Sequence, residues 1–273
     1  MVPLIFEPFG LNWPPGMESV LSMTVLYKEG VARCSNCGSK NLESIDQNRS
    51  RCIECGTTLK DRLTSSDIPK LFEMMKGGSK DEKIMASHML NNPKYTDLKT
   101  ITPHADKIFE TYDSNLPIVR SNMAGVTARI AEDRPGKVKE AVPKLIDLLD
   151  DELDVRKNAA VALAYISQGY PKEVLPALEK VIELMKREPL SNYMAVVASL
   201  AETYPDEVLP YLELIVNYIE DGEMVNNSLY ALTHLADPHP DEVRKYKKVI
   251  KSLLDHEDPI KQAASSILED MGS

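Results

Sequence analysis

The chain has 273 residues, which is enough for one or two domains, and its 43% apolar content is enough to bury a sizeable core. Aromatic residues make up only 6%, which argues against an all-β fold, and no run approaches the ~18 apolar residues of a membrane helix. The net charge of −10 comes from residues 63–273, which hold 25 Lys/Arg against 35 Asp/Glu. Such an acidic surface repels a nucleic-acid backbone and favours solubility or basic partners.

Residues 1–23 form an N-terminal tail without clear periodicity. Because the tail lacks a basic segment and is interrupted by prolines, it does not resemble a signal peptide, and we expect a soluble, cytoplasmic protein. Two interpretations of the tail stay open. It is an over-extended start, with Met23 as the true first residue, or it is a genuine segment that packs Trp13 and Phe9 on the body.

Residues 24–62 contain every cysteine of the chain: Cys34, Cys37, Cys52 and Cys55. Disulfide frameworks are usually spread through small secreted domains, so this clustering within 22 residues indicates a metal site in a reducing compartment. Each Cys-x-x-Cys-Gly knuckle places two thiolates on one side of a tetrahedral ion, and two knuckles leave no open position. Gly38 and Gly56 let the backbone turn tightly, with N–H groups directed at sulfur.

The knuckles resemble the zinc ribbons of transcription factors, RNA polymerase subunits and ribosomal proteins, and this resemblance implies one structural Zn²⁺. Iron is the alternative, as in rubredoxin, but rubredoxin-like sites are wrapped in aromatic residues, whereas residues 39–51 are polar. A closed four-cysteine site offers no position for substrate or water. We therefore expect the metal to hold the ribbon folded and not to catalyse a reaction.

Basic residues fringe the ribbon and raise nucleic acid as a partner: Arg33, Lys40, Arg49, Arg51, Lys60 and Arg62. Glu43, Asp46 and Glu54 stand among them, and a Zn²⁺ ion with four thiolates itself carries a charge of about −2. The ribbon also lacks the basic stripe with interleaved aromatic residues that is typical of nucleic-acid binders. We therefore favour a ribbon that packs on the rest of the chain or contacts a protein.

Residues 66–273 carry an internal repeat. A proline phrase recurs at spacings of 36, 34 and 35 residues: Pro135-Gly-Lys-Val138, Pro171-Lys-Glu-Val174, Pro205-Asp-Glu-Val208 and Pro240-Asp-Glu-Val243. Proline and acidic residues suit the first turn of a helix, so each phrase is predicted to open one. The apolar residues that follow have helical spacing, as in Val142, Leu145 and Leu149. An acidic turn and a second, alanine-rich helix come next, as in residues 159–166.

Weaker copies of this unit precede the clear ones. Thr102-Pro103 is predicted to cap a helix, with residues 119–130 as its partner. Residues 66–75 and 81–90 make a degenerate first pair. Because a pair of amphipathic helices cannot bury its apolar face alone, we predict an all-α solenoid of about six stacked helix pairs. The sequence shows no strand pattern after residue 66.

The repeats resemble the HEAT family, and within it the HEAT-like repeats named after phycobilin lyases. The likeness rests on residues 141–151 and 154–160. In that family an Asp in the turn and an Arg that opens the second helix bond across neighbouring repeats, which implies those roles for Asp154 and Arg156. Arg120 matches the arginine in an earlier unit. The other units have a different residue near that position: Asn192, Asn226 or Lys261.

The sequence offers no catalytic constellation elsewhere. The five histidines are scattered, without a pair at metal-ligand spacing, and His88 and His234 fall within predicted second helices. His256-Glu257 invites comparison with the His-Glu pairs of deoxyhypusine hydroxylase, a HEAT-like enzyme, but one such pair in a predicted turn does not fit. A phosphate-binding glycine loop and a spare nucleophilic cysteine are also missing. We expect a protein that is not an enzyme.

Two functions follow from these observations. HEAT proteins are mostly scaffolds, adaptors and carriers, so the resemblance implies a non-enzymatic protein–protein interaction scaffold, although a fold alone assigns no activity. The alternative is an accessory factor of transcription or translation whose ribbon contacts polymerase, ribosome or nucleic acid. In either case the ribbon binds a partner or caps the open apolar end of the first helix pair. Methionines cluster at that end: Met74, Met75, Met85 and Met89.

Overall fold

The computed structural model describes residues 26–28, 31–34, 36–46 and 49–272. The predicted tail over residues 1–23, with Trp13 and Phe9, lies outside these described residues. The chain divides into two compact units, one ending at Val126 and the other beginning at Thr127. The predicted domain boundary at residues 62–66 therefore falls within the first unit, and it stays a prediction.

Short strands make two antiparallel sheets ahead of the first described helix. One sheet pairs β1 (Leu26–Lys28) with β2 (Val31–Arg33). The other has the order β3 (Leu42–Asp46), β4 (Arg49–Cys52) and β5 (Thr58–Lys60). The β module predicted at the front of the helical region is thus confirmed.

The three-stranded sheet has a small inner face. Along β4 the side chains of Ser50 and Cys52 are buried and those of Arg49 and Arg51 are exposed, as the two-residue period of a strand requires. Among the described residues, the apolar cluster beneath the sheet comprises Cys34, Cys52 and Leu59, with Ala32 and Leu42 packed against them. A core of these residues alone cannot offset the conformational entropy of folding by apolar burial.

Helices occupy the described chain from Ile68 to Asp270 and fall into six consecutive pairs. They are α1 (Ile68–Gly77), α2 (Lys80–Asn91), α3 (Leu98–Ile101), α4 (Ala105–Glu110), α5 (Pro117–Asp133), α6 (Val142–Asp147), α7 (Leu153–Gly169), α8 (Pro171–Val174), α9 (Leu178–Arg187), α10 (Ser191–Ala201), α11 (Pro205–Val208), α12 (Leu212–Glu220), α13 (Val225–Ala236), α14 (Pro240–Arg244), α15 (Lys247–Ser252) and α16 (Ile260–Asp270). The second helices of the pairs are α2, α5, α7, α10, α13 and α16. This architecture confirms the predicted all-α class and the estimate of about six pairs.

A second proline divides the first helix of several pairs. In the fourth pair α8 ends at Val174, a 3₁₀ turn containing Pro176 follows, and α9 begins at Leu178. Pro210 occupies the same place between α11 and α12. Proline has no N–H to donate and its ring clashes with the preceding turn, so the helix tightens locally into 3₁₀ geometry.

Thr102-Pro103 plays this dividing role, and the prediction that it caps the helix is wrong. The helix begins at Leu98, and the Asp97 carboxylate accepts a hydrogen bond from the Thr100 N–H at 2.8 Å. Pro103 lies one turn later, in the 3₁₀ turn between α3 and α4. Asp97 is the cap because a free carboxylate reaches the unpaired N–H groups of the first turn.

The proline phrases open helical segments as predicted, with one difference. Pro171, Pro205 and Pro240 begin α-helices, whereas Pro135 begins a 3₁₀ turn. The residue after Pro135 is Gly136, and a Cβ there would lie 2.5 Å from the Tyr170 hydroxyl. This close approach favours glycine, and glycine favours the α-helix less than the acidic or basic residue at the same place in the other phrases.

The second helices of the second unit pack side by side, with α7 against α10, α10 against α13 and α13 against α16. Small side chains allow this approach: α7 is the predicted alanine-rich helix, and its alanines are buried: Ala159, Ala160, Ala162 and Ala164. Tyr193 of α10 is fully buried among its neighbours. The second unit is therefore a solenoid-like stack of helix pairs.

An asparagine ladder links the second helices α7, α10 and α13. Asparagine stands thirteen residues before each phrase proline: Asn122, Asn158, Asn192 and Asn227. The Asn192 amide donates to the Lys157 carbonyl at 3.2 Å, and the Asn227 amide donates to the Ser191 carbonyl at 3.0 Å. In both bonds the acceptor is the residue just before the asparagine of the preceding helix. The ladder therefore holds these helices in the same register from pair to pair.

Replacing Asn192 with alanine should lower the free energy of unfolding by about 1 kcal/mol, because the hydrogen bond between its amide and the Lys157 carbonyl of α7 is lost. The matched control is Asn226→Ala, since Asn226 is an exposed asparagine next to the ladder position on α13. Urea denaturation followed by far-UV circular dichroism measures both variants. Equal destabilisation by the two substitutions would contradict a role for the ladder.

Arg156 bonds to the next helix pair. Its guanidinium donates to the Tyr193 hydroxyl at 3.2 Å and to the Glu188 carboxylate, both in the next helix pair. A third N–H bonds the Asp151 carbonyl at 3.0 Å, in the turn before α7. Arg120 makes the equivalent contact, since it donates to the Ser114 carbonyl, in the turn before α5, at 2.6 Å.

The segment between β5 and α1 ties the β module to the first helix pair. Asp67 is buried and accepts hydrogen bonds from the Thr64 hydroxyl at 2.6 Å and from Lys60 Nζ at 3.2 Å. Burial opposes ionisation of Asp67, but these donors outweigh it and lower the pKa of its carboxyl. The Leu63 N–H also donates to the Tyr95 carbonyl at 2.8 Å.

Among the described residues, no helix is both long and apolar enough to cross a lipid bilayer.

Candidate metal centre

Two equivalent knuckles build the candidate metal centre. Cys34 directly follows β2 and Cys52 ends β4, so each strand carries the first cysteine of a knuckle to the same end of the module. The Gly38 N–H donates to the Cys34 carbonyl at 2.9 Å, and the Gly56 N–H donates to the Cys52 carbonyl at 2.8 Å. Both glycines have left-handed backbone, with φ of +75° and +73°, as the sequence analysis predicts.

The four sulfur atoms converge on one point. Cys34 Sγ lies 3.6 Å from Cys55 Sγ, and Cys37 Sγ lies 3.5 Å from Cys52 Sγ. All four sulfurs lie within 4.8 Å of one another. A tetrahedral ion with metal–sulfur bonds of ~2.3 Å separates its ligands by about 3.8 Å, so the cluster fits such an ion. The predicted ligands are therefore brought together, and the cluster can hold one metal ion.

Their surroundings shift the pKa values of the Cys34, Cys37 and Cys55 thiols in different directions. Burial raises the pKa of Cys34 despite N–H donors from Cys37 and Asn36. The Ser39 N–H favours the Cys37 thiolate, but desolvation and the neighbouring sulfurs raise the pKa of Cys37 to about 12. The Thr57 hydroxyl and N–H lower the pKa of Cys55 to about 6. Without a cation, one thiolate suppresses ionisation of the others, and a bound divalent ion removes that repulsion.

Two residues beside the sulfurs were not found by sequence reasoning. Asn36 Nδ2 lies 3.7 Å from Cys55 Sγ and donates to Thr57 Oγ1 at 3.1 Å. The Thr57 hydroxyl oxygen in turn lies 3.1 Å from Cys55 Sγ. Asn36 belongs to the first knuckle and Cys55 to the second, so this contact joins them. The sequence carries no signal for it, because it depends on how the knuckles face each other.

Replacing Asn36 with alanine should weaken metal binding by about ten-fold, because groups that orient metal ligands typically contribute that much. Competition with a chromophoric chelator measures the affinity. Asn41→Ala is the matched control, since the Asn41 amide donates to Glu54 at 2.6 Å within the same module and contacts no sulfur. A loss in the control as large as in Asn36→Ala would show that the effect is general destabilisation of the module.

The predicted basic fringe is partly engaged within the protein. Arg33 donates to the Gly38 carbonyl at 3.2 Å, and Lys60 pairs with Asp67. Arg51 is exposed, but it stands opposite Glu43 in the register of β3 and β4. Beside the four cysteines, the large apolar side chain of Ile53 in the second knuckle is 65% exposed.

The histidines lie where the sequence analysis places them. His88 is in α2 and His234 is in α13, both second helices. Burial lowers the pKa of His88. His256 and Glu257 lie in the turn that precedes α16. Within the described residues, the four cysteines form a group that could hold a metal ion, and no such group includes a histidine.

Comparisons with known proteins report on the fold alone. No family model matches the chain, and no curated protein matches it. Among solved structures, three engineered proteins from the Northeast Structural Genomics Consortium are similar, each with a TM-score of 0.66. They are 24%, 20% and 19% identical and cover 75%, 76% and 76% of this chain, which corresponds to 98%, 96% and 58% of their own lengths. The chain is thus similar in fold to engineered proteins, and these likenesses carry no activity over to it.

Proposed function

We propose that this protein is a non-enzymatic scaffold that binds a protein partner along its second helices. The observation that supports this is the register of α7, α10 and α13, in which the asparagine ladder repeats the same bond from helix to helix. Equal register brings side chains from the same repeat position into rows across the stack. We call the exposed residues at matching positions of α7, α10 and α13 the row-built surface. Such a surface suits an extended partner better than a small substrate.

We further propose that the repeats are HEAT-like. The six helix pairs, the small-residue contacts between second helices and the cross-repeat bonds of Arg156 support this assignment. At the position of Arg156, fifteen residues before the phrase proline, the next two second helices have Leu190 and Val225. In those pairs the asparagine ladder supplies a polar link between repeats.

The metal that we propose is one structural Zn²⁺. Four sulfurs fill a tetrahedral shell and leave no open coordination position, so the ion would stabilise the folded module and would not activate water. The polar surroundings favour zinc over iron. Protein purified without added metal should be colourless and contain about one equivalent of zinc by elemental analysis. A red preparation, typical of ferric thiolate sites, would overturn the assignment to zinc.

We propose that the β module also caps the first helix pair, because Asp67, Lys60 and Leu63 connect the two. Deleting residues 1–64 removes Lys60 and Leu63 and should lower the melting temperature of the helical region by more than Lys60→Ala alone. If the deleted protein melts like the full chain, the module is not a cap, and a contact with a partner is its remaining role.

Affinity purification from the source organism, followed by mass spectrometry, tests the scaffold proposal. Ala195 is partly exposed in the middle of α10, so Ala195→Arg places a bulky charge on the row-built surface. Asn217→Arg makes the matched change at an exposed position on α12, a first helix. We expect the partners captured by the wild type to be lost with Ala195→Arg and kept with Asn217→Arg. Equal capture by both variants would refute binding through the second helices.

An accessory role in transcription or translation is the second candidate, and the exposed arginines of β4 favour it. Arg49 and Arg51 lie on the outer face of the sheet. Contact with nucleic acid would depend steeply on salt, because each neutralised phosphate releases counterions. Failure to bind single- or double-stranded RNA or DNA at moderate salt would eliminate the nucleic-acid form of this role.

A further inference from the structure

Tyrosine–carboxylate pairs recur on the surface of the second helices. The Tyr165 hydroxyl of α7 donates to Glu132 of α5 at 3.4 Å, and the Tyr230 hydroxyl of α13 donates to Glu202, beside α10, at 3.2 Å. In each pair the tyrosine reaches back to a carboxylate on the preceding second helix. The same composite feature thus appears twice in the second unit, and we call these the two Tyr–Glu pairs.

These pairs are open to a partner. Tyr230 is 48% exposed, Tyr165 is partly exposed, and the Tyr230 ring meets the His234 ring edge-on at a centroid distance of 4.6 Å. Glu132 and Glu202 are exposed. A ring face next to a carboxylate offers a cation both a π-surface and a negative charge.

The side chains between the two Tyr–Glu pairs are small and apolar. Val161 of α7 and Ala195 of α10 stand ten residues before their phrase prolines, at the position that Tyr230 occupies in α13, and both are partly exposed. Three residues before each phrase proline, at or just after the end of the second helix, a carboxylate stands in three of four repeats: Glu132, Glu202 and Asp237, with Gln168 in α7. The face therefore combines a shallow apolar strip with one acidic edge.

Resting on the proposed scaffold function, we infer that the partner of this face is a basic, extended peptide segment with two cationic side chains, one for each Tyr–Glu pair. The acidic edge and the two rings are complementary to arginine or lysine, and the strip between them accepts small apolar side chains. The pairs are two helix spacings apart, which is about 16–20 Å at 8–10 Å per spacing. An extended chain covers that distance in about six residues.

A fluorescent peptide tests this inference on the full-length, metal-loaded protein. The peptide has two arginines six positions apart, separated by alternating alanine and leucine, and binding is followed by anisotropy at low salt. A second peptide of the same composition has its arginines adjacent. We expect the spaced peptide to bind about ten-fold more tightly than the adjacent one, because only the spaced one engages both pairs.

Variants locate the site. The double variant Glu132→Gln/Glu202→Gln should weaken the spaced peptide by about ten-fold, since each carboxylate contributes one modest ion pair. The control Glu179→Gln/Glu213→Gln makes the same charge change at exposed positions on the first helices α9 and α12 and should leave binding unchanged. Equal losses in both double variants, or equal binding of both peptides, would reduce the effect to general acidity and overturn the inference.

The scaffold proposal can survive when this inference fails. If the spaced peptide does not bind while Ala195→Arg still abolishes capture of the native partner, the face is a binding surface but its partner is not a basic extended segment. If the spaced peptide does not bind and Ala195→Arg also leaves capture of the native partner unchanged, both proposals are wrong.

Discussion

Replacing Cys52 with serine should abolish metal binding and unfold the β module while leaving the helical content intact. Cys52 is fully buried, is one of the four proposed metal ligands and belongs to the apolar cluster beneath the sheet. Structural zinc contributes on the order of 10–16 kcal/mol to the folding of small metal domains, far more than this core can replace. We expect the metal content to fall from one equivalent to none.

Limited proteolysis and circular dichroism report the two halves of this result separately. New cleavage sites should appear within residues 24–62, whereas the helical signal at 222 nm should stay within error of the wild type, because this module holds strands and turns. Thr58→Ser, an exposed change on β5, is the control and should keep both the metal and the resistance to proteolysis. A Cys52→Ser protein that resists proteolysis as well as the wild type would show that the module folds without its metal.

Replacing Tyr193 with alanine should destabilise the helical region by about 3–5 kcal/mol, the usual cost of truncating a buried aromatic residue. Tyr193 is fully buried in α10, and its hydroxyl accepts a hydrogen bond from Arg156 Nε of α7. The substitution therefore leaves a cavity and removes a link between neighbouring pairs. At roughly 2–4 °C per kcal/mol for a region of this size, the melting temperature should fall by about 10 °C.

Tyr193→Phe separates the two contributions. It keeps the ring and removes only the hydroxyl, so we expect a loss of about 1 kcal/mol. Arg156 retains its bonds to Glu188 and to the Asp151 carbonyl in this variant. Differential scanning calorimetry measures both proteins. If Tyr193→Ala cost no more than Tyr193→Phe, the ring would not be a packing element between the pairs.

Local patterns in the sequence were good predictors of the helix pairs and less reliable for their boundaries. The proline phrase at Pro171 opens a helix because proline fits a first turn, a property of a few adjacent residues. The same reasoning fails at Thr102-Pro103, because a nearby Asp97 provides a stronger cap one turn earlier. Where two local signals compete, tertiary packing and cap geometry decide between them.

The asparagine ladder illustrates a different limit. Its spacing of 36, 34 and 35 residues matches that of the prolines and is readable in the sequence. The contacts that these asparagines make cannot be read from the sequence, because the acceptors of Asn192 and Asn227 are backbone carbonyls of another helix. The period marks equivalent positions, and only the packed structure shows which atoms meet there.

The sequence by itself determined the clustering of the four cysteines and the repeat, since both depend on short spacings that the backbone converts directly into geometry. Cys34 and Cys37 share a knuckle because they are three residues apart and are followed by a left-handed glycine. Only the tertiary structure decided how the knuckles face each other through Asn36, and which exposed residues of different repeats become neighbours, such as Tyr230 and Glu202. These contacts join residues about 20 to 30 positions apart and depend on the rotation and register of packed elements, which no local pattern specifies.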